Sequence, residues 1–165
     1  MTTVRLHDTL SGETRPLVPL GDTIGIYSCG PTVYGPAHIG NFRSFLFADL
    51  LVRHLRWRGH AVKWVMNITD IDDKIIKGAA AAGVTIQELA DRWLAAFRED
   101  SLRLRMTVPD VQPRATEHID AIVELISTLL ERGIAYRTED GSIFFRIASW
   151  PAYGQLARLD PDEMR

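Results

Sequence analysis

Two short apolar runs flank a long helical pattern in the first part of the chain. Ile24 to Ser28 predicts a short buried strand, and Ala61 to Ile68 predicts a second strand. Between them, apolar residues recur at helical spacing from about Asn41 to Arg58, and they occupy nearly all sides of that helix. A strand, a loop, a helix and a second strand in this order form a βαβ unit, so we expect two parallel strands.

Amphipathic helical patterns continue through the middle of the chain. Asp72 to Ala82 predicts a short helix with acidic residues at its start, and Thr85 with Glu88 has capping-box spacing for the next helix. The apolar stripe of that next helix consists of Ile86, Leu89, Ala90, Trp93, Leu94 and Phe97. A further helix is predicted over 116–132, with an apolar stripe facing inward. This stripe consists of Ile119, Ile122, Val123, Ile126, Leu129 and Leu130.

The two ends of the chain carry weaker patterns. Glycines and prolines break residues 1–22 into short stretches, which predicts an irregular lead-in. Ile134 to Arg137 and Ile143 to Ile147 predict a hairpin that turns through Glu139-Asp140-Gly141. From Trp150 onward we expect irregular structure.

The predicted sheet is too small to be complete. A parallel sheet normally has more than two strands and is covered on both faces. With only two strands evident, we expect Trp64, Val65 and Met66 to leave apolar surface and unpaired backbone groups at a sheet edge. The best internal boundary lies near 108–113, where the composition shifts.

Composition excludes several classes of protein. The chain has 165 residues, of which 46% are apolar and 24% charged, as in ordinary globular domains rather than disordered chains. The net charge of −2 argues against a broad basic surface for phosphate. The lone Cys29 excludes an intrachain disulfide and a multi-thiolate zinc site. The chain shows neither a signal peptide nor an apolar run long enough for a membrane span, so we expect a soluble, cytoplasmic protein.

The loop over 29–41 carries the clearest chemistry. A strand that ends in a Gly/Pro-rich loop and enters a helix is a usual phosphate-binding arrangement, because free backbone N–H groups and the helix dipole attract anions. Gly40 permits close approach of a ligand, and His38 and Asn41 lie one helical turn apart. A charged imidazole and an amide donor would suit triphosphate oxygens. Taken alone, the same pattern is equally typical of a histidine that caps a helix beside a tight turn.

In context, these residues resemble cysteinyl-tRNA synthetases. The similarity runs from about Leu6 to Leu159 and therefore covers nearly the whole chain. The most specific blocks are Cys-Gly-Pro-Thr-Val-Tyr and Asn-Ile-Thr-Asp-Ile-Asp-Asp-Lys. The blocks that carry the resemblance are 27–34, 38–41, 67–77, 113–119 and 153–154.

The resemblance implies a class I synthetase with a defined fold and reaction. Residues 1–113 would form the first half of a Rossmann-like α/β nucleotide-binding fold with a parallel βαβ unit. Residues 114–165 would begin the connective insertion with a helix and a β-hairpin. The enzyme would activate L-cysteine with ATP and Mg²⁺ and ligate it to tRNA(Cys). No membrane partner is expected, whereas association through the open sheet edge is plausible.

The resemblance also assigns site residues. His38 and Asn41 match the first and last positions of the His-Ile-Gly-His signature, with Asn in place of the final His, and would be catalytic. Cys29 matches a zinc ligand, and the zinc would bind the thiolate of the substrate. The ATP-binding residues would be Gly30, Pro31, Thr32, His38, Gly40 and Asn41. The residues at the substrate cysteine would be Cys29, Thr32 and Thr69.

Several family features are missing from the sequence. It contains no Lys-Met-Ser-Lys-Ser loop, and the other zinc ligands of the family pattern are absent, so Zn²⁺ would have a single ligand here. We therefore expect an N-terminal portion that is incomplete and inactive alone. One alternative is a non-catalytic synthetase-like module that binds a nucleotide or a partner. Another is a cysteine ligase that acts on an amino sugar, as in mycothiol synthesis.

Two groups of residues have simpler structural interpretations. Asp70, Asp72 and Asp73 could suggest a metal cluster, but we prefer helix-start carboxylates, with Asp70 fixing the loop. Three tryptophans are assigned to the core rather than to base stacking: Trp57, Trp64 and Trp93.

Overall fold

The computed structural model describes residues 3–159, which divide into two compact units. Residues 19–119 form the larger unit, and the described residues before 19 and after 119 form the smaller one. In chain order the strands and helices are β1 (Arg5–Asp8), β2 (Glu13–Pro16), β3 (Thr23–Ser28), α1 (Ile39–Trp57), β4 (Ala61–Met66), α2 (Asp73–Ala82), α3 (Ile86–Arg103), α4 (Ile119–Glu131), β5 (Ala135–Arg137) and β6 (Ile143–Phe145).

The N-terminal segment is an antiparallel hairpin rather than an irregular lead-in. Strands β1 and β2 pair from Arg5 opposite Pro16 to Asp8 opposite Glu13. Gly12 adopts φ +72° in the turn, a backbone conformation that glycine reaches without strain. The prediction for residues 1–22 was wrong because the glycine and proline that suggested a loop here lie at the turn and at a strand end.

The centre of the larger unit is a pair of parallel strands joined through α1. Strands β3 and β4 pair in register from Thr23 opposite Ala61 to Ser28 opposite Met66. Both predicted strands and their parallel direction are confirmed. Helix α1 begins two residues before the predicted Asn41, because the loop side chains cap it there. Strand β4 ends at Met66 and not at Ile68.

The outer edge of β4 is covered by a later segment of the chain. The Met66 N–H donates to the Val111 carbonyl at 3.0 Å, and the Ile68 N–H donates to the Pro113 carbonyl at 2.8 Å. The isolated bridges of this segment to β4 and Ile68 are parallel. The prediction that Trp64, Val65 and Met66 lie at an open edge was wrong. Trp64 and Met66 are 0% and 1% exposed, and Val65 forms a bridge with Val111. In the part of the chain that the structure describes, β3 pairs only with β4, so β3 provides the open edge.

Helices α1, α2 and α3 build the core around this sheet. Asp72 caps α2, and Thr85 with Glu88 forms the predicted capping box of α3. Phe97 of α3 stacks on Phe42 with ring centroids 5.7 Å apart. The predicted α3 stripe is confirmed, with four buried members: Leu89, Ala90, Leu94 and Phe97.

The three tryptophans differ in burial. Trp64 is completely buried, as predicted, and Trp93 is half-buried and packs against the core. The core assignment of Trp57 was wrong, because this side chain is 79% exposed. Trp57 is the last residue of α1, and its ring centroid lies 5.8 Å from that of His54 on the same helix.

The C-terminal part differs from its prediction in packing. A 3₁₀ turn over Ala115–His118 replaces the first turn of the predicted helix. The inward stripe on α4 was wrong, since no residue of α4 is buried, and Val123 remains 55% exposed. Strands β5 and β6 have only three residues each and offer little surface to cover it. Their predicted antiparallel hairpin is confirmed.

Beyond β6, turns dominate from Trp150 to Arg158, in agreement with the predicted irregular tail. The last six residues of that prediction lie outside the described part of the chain. Among the described helices, none combines the length and the apolar character that crossing a bilayer requires.

Candidate functional site

A cleft of about 440 Å³ lies in the larger unit, beside the loop that follows β3. The loop and the first turns of α1 line part of it, and α2 and α3 contribute Lys74, Trp93 and Phe97. Thr69 is not among the lining residues. The predicted site residues that the structure brings together here are Cys29, Gly30, Pro31, Thr32, His38, Gly40 and Asn41.

The residues that follow β4 fix the path of the loop. The Gly30 N–H donates to the Asn67 side-chain oxygen at 3.2 Å, and the Thr69 N–H donates to the Pro31 carbonyl at 3.0 Å. A Cβ at Gly30 would lie 1.8 Å from the Asn67 carbonyl oxygen, so only glycine fits. The Asn67 amide also donates to the Thr69 hydroxyl at 3.1 Å. Thr69 therefore anchors the loop, whereas its proposed contact with substrate remains a prediction.

The start of α1 is closed by a reciprocal cap that uses both predicted catalytic residues. The Gly40 N–H donates to His38 Nδ1 at 3.1 Å, and the His38 N–H donates to Asn41 Oδ1 at 3.0 Å. A Cβ on Gly40 would lie only 2.9 Å from the imidazole, so glycine gives the ring room. Because both acceptors are used in the cap, the donors left over are His38 Nε2–H and the Asn41 amide group.

This cap limits which backbone N–H groups can take part in the predicted binding of an anion. The prediction relied on free backbone N–H groups, but those of His38, Gly40 and Asn41 already have acceptors within the cap. The helix-cap interpretation of His38 is confirmed. Since His38 and Asn41 are exposed and line the cleft, their remaining donors are the groups available to a ligand.

The thiol of Cys29 lies at the same cleft, next to Gly30. Cys29 is exposed and is not in a disulfide. Within residues 3–159, no group of three or more His, Cys, Asp or Glu side chains could hold a metal ion. Cys29 could therefore supply one ligand of a metal centre, and the described residues do not complete one.

Helix α2 adds a cation that the sequence analysis did not single out. Lys74 Nζ lies 4.9 Å from the centroid of the Tyr34 ring, and both residues line the cleft. Lys74 is the sole lysine or arginine among the described lining residues. The signal for Lys74 in the sequence was its position at the end of the Asn-Ile-Thr-Asp-Ile-Asp-Asp-Lys block.

A buried ion-pair network lies just beyond β4. The Asp70 carboxylate, fully buried, accepts from Arg114 Nε at 2.7 Å and from the Thr116 N–H at 3.0 Å. Arg114 also pairs with Asp91 of α3 at 2.7 Å. Burial alone would raise the pKa of Asp70, but the hydrogen bonds from Thr116 and Arg114 hold it below its usual value of 3.8. The interpretation of Asp70 as a structural carboxylate is confirmed.

The other two aspartates of this segment also have helix-start roles. Asp72 accepts from the Lys74 and Ile75 N–H groups at 2.7 and 3.2 Å. Asp73 is the first residue of α2 and is exposed. A carboxylate at a helix start is favoured by the helix dipole, so these side chains need no metal to explain them.

Comparison with known proteins places this site in a family. The parallel β3–β4 pair, the loop after β3 and the capped helix α1 around the cleft define an α/β protein. The family model described as the catalytic domain of class I tRNA synthetases (C) matches residues 17–165. The chain belongs to this family.

Three of the curated relatives are cysteine–tRNA ligases. The chain is 47% identical over 164 residues to the cysteine–tRNA ligase of Rubrobacter xylanophilus, covering 98% of this chain and 34% of the relative. It is 46% identical over 158 residues to that of Koribacter versatilis, covering 95% and 32%. It is 43% identical over 163 residues to that of Methanosarcina mazei, covering 98% and 34%. The chain thus spans about a third of the length of the relatives it matches.

Proposed function

We propose that this chain provides the part of a cysteine–tRNA ligase that binds ATP and cysteine during activation of the amino acid. A carboxylate oxygen of cysteine would attack the α-phosphate of ATP, forming cysteinyl-adenylate and releasing pyrophosphate. The cysteinyl group would then pass to the terminal ribose of tRNA(Cys), releasing AMP. The observation that carries this proposal is the His38–Asn41 cap, whose spare donors share one cleft with the Cys29 thiol.

The polar groups of the cap have a direct chemical use. His38 Nε2–H and the Asn41 amide can donate to phosphate oxygens whose charge increases as pyrophosphate leaves. Both side chains are held by the cap before any ligand arrives, so little reorganisation is needed. The remaining loop residues proposed to contact ATP, as its magnesium complex, are Gly30, Pro31, Thr32 and Gly40.

The substrate cysteine would lie near Cys29 and Thr32, beside the loop that Thr69 anchors. Cys29 alone does not fit a zinc centre, because the described residues hold no further ligand set. If zinc is bound in the complete enzyme, its other ligands would come from outside the described residues. The thiol preference of zinc would favour cysteine over serine, but no step above depends on the metal.

The same reasoning extends to the fold. Residues 1–113 would form the first half of a Rossmann-like fold, and residues 114–165 would begin the connective insertion of an N-terminal portion. Support comes from the parallel β3–β4 pair and from the edge of β3, which has no further strand within the described residues. A further parallel strand at that edge would extend the sheet beside the cleft.

Pyrophosphate exchange tests this proposal. The isolated chain with cysteine and ATP should show no exchange above background. Adding the part of the Rubrobacter xylanophilus relative that this chain does not match should restore exchange, and His38→Ala should abolish it again. Robust exchange by the isolated chain would contradict the proposal that this chain is inactive alone. No exchange in the mixture, together with no ATP binding by calorimetry, would contradict the proposed activation of cysteine. Transfer of cysteine to an amino sugar instead of tRNA would favour the alternative ligase of the mycothiol type.

A further inference from the structure

The indole of Trp93 carries a buried donor that has no acceptor. Trp93 Nε1 is shielded from solvent and makes no hydrogen bond within the described residues. The contrast is Trp64, whose Nε1–H donates to the Ser28 hydroxyl at 2.9 Å. Buried polar groups nearly always have partners, so an orphaned donor in a native fold needs an explanation. Trp93 is also a lining residue of the cleft, so its indole ring borders the proposed binding site.

The neighbouring helix supplies a cation to the same wall. Lys74 of α2 lines the cleft and makes no ion pair with any described residue. Its ammonium group is held over the Tyr34 ring at 4.9 Å, which keeps the charge at the cleft without neutralising it. Of the aspartates near the start of α2, Asp72 caps the helix and Asp70 pairs with Arg114, and Asp73 makes no ion pair with Lys74 within the described residues.

We propose that Lys74 and Trp93 form an anion-binding wall of the cleft that holds negatively charged oxygens of the ligand. The ammonium group attracts the charge, and the indole N–H gains the acceptor it lacks. This inference deepens the proposed function and rests on it for the identity of the ligand. Two sources provide such oxygens, namely the phosphates of ATP and the carboxylate of cysteine, and the charge-assisted contact is the same for both.

Calorimetric titration of the full 165-residue chain tests the part played by Lys74. The ligands are ATP with adenosine as its uncharged counterpart, and L-cysteine with cysteamine, which lacks the carboxylate. Lys74→Gln should weaken binding of one charged ligand about tenfold and leave its uncharged counterpart unchanged. Lys77→Gln is the matched control, because Lys77 lies on the same helix and does not line the cleft.

The pattern of affinity losses in this titration identifies the oxygens that Lys74 binds. A loss confined to ATP assigns the wall to phosphate, and a loss confined to L-cysteine assigns it to the carboxylate. Unchanged affinity of Lys74→Gln for all four ligands, with the wild type binding normally, would overturn the inference and leave the proposed function intact. A wild-type chain that binds none of the four would remove the proposed function and this inference together.

Trp93→Phe separates a ligand contact from a packing role. The phenyl ring keeps most of the apolar contact and removes the orphaned N–H, so the unfolding temperature should stay at or above that of the wild type. Affinity for the same charged ligand should fall about fivefold.

Two other tryptophans serve as controls. Trp64→Phe should lower the unfolding temperature, because it leaves the Ser28 hydroxyl without its donor. Trp57→Phe, exposed and outside the cleft, should change neither quantity. A lower unfolding temperature for Trp93→Phe with unchanged affinity would overturn the role of the indole.

Discussion

At the residue scale, the start of α1 gives two side chains a structural task, and the proposed function gives the same two a chemical one. The acceptor atoms of His38 and Asn41 close the helix, and their donor atoms remain for a ligand. A helix cap holds a side chain in one orientation, which is the preorganisation that stabilising a charged transition state requires. The two tasks can therefore be separated by a side chain that caps well but lacks the second donor position.

His38→Asn makes this separation. Asparagine is a strong N-cap residue, so the free energy of unfolding should stay within about 0.5 kcal/mol of the wild type. It lacks the reach of Nε2–H, so ATP affinity should fall about tenfold. His38→Ala should lose the affinity and about 1 kcal/mol of stability as well. Urea denaturation and calorimetry measure the two quantities, and full ATP affinity in His38→Asn would contradict the assignment of Nε2.

Two of the three glycines that line the cleft, Gly30 and Gly35, give a second contrast at this scale. Gly30→Ala should lower the free energy of unfolding by about 2 kcal/mol or more, because the new methyl group overlaps the Asn67 carbonyl oxygen. Gly35→Ala should have little effect, since a Cβ there meets nothing within 4 Å. Urea denaturation of both variants checks this, and equal stabilities would show that the loop shifts freely.

At the element scale, the network around Asp70 joins parts that are distant in sequence. Through Arg114 and Thr116 it ties the end of β4 to the segment that pairs with its edge, and through Asp91 it reaches α3. A buried carboxylate with these partners is costly to leave unpaired, so the network fixes the position of the residues after β4. Those residues in turn hold the cleft loop through Thr69 and Asn67.

Asp70→Asn should therefore destabilise the chain in a pH-dependent way. The pKa of Asp70 is lowered below 3.8 in the folded state, so its contribution is fully present above that pH and disappears as the pH falls below it. At pH 7 the variant should lose about 3 kcal/mol, since Arg114 loses its charged partner. The difference from the wild type should shrink in urea denaturation at pH 3. Asp73→Asn, an exposed neighbour, is the control, and a difference that does not change with pH would contradict this role.

Sequence patterns predicted the elements whose signals are local. Strands β3 and β4 and helices α2 and α3 follow from apolar spacing and from caps such as Thr85 with Glu88. The segment that pairs with β4 could not be found in this way, because Pro113 lacks an N–H and the segment forms only isolated bridges. The exposed stripe of α4 also escaped prediction, because periodicity reveals an apolar face but not what covers it.

The candidate site likewise contains residues that the sequence predicted and residues that it did not. The loop residues from Cys29 to Asn41 were found from the motif, since they are adjacent in sequence, and all of them except Ile39 line the cleft. Lys74 and Trp93 reach the same cleft only because α2 and α3 fold against it. Which backbone N–H groups the cap uses depends on the orientations of two side chains, and no spacing rule gives these.

At the scale of the whole molecule, the cleft and its supporting network lie within a single compact unit. Residues 19–119 contain the parallel strands, the three helices of the core, the loop and the Asp70–Arg114 pair. The hairpins β1–β2 and β5–β6 lie outside this unit. A unit that holds its own core and its own buried ion pair has what independent folding requires.

A fragment of residues 19–119 should therefore fold on its own and keep the ATP affinity of the full chain within about twofold. A second fragment, 19–110, keeps the three core helices but loses the segment that covers the edge of β4 and the partners of Asp70. That shorter fragment should not unfold cooperatively, because the β4 edge is left unpaired and a carboxylate is left buried without a cation. Thermal unfolding followed by circular dichroism distinguishes the two. Cooperative unfolding of 19–110 would show that the edge segment is dispensable, and a non-cooperative 19–119 would show that the unit depends on the rest of the chain.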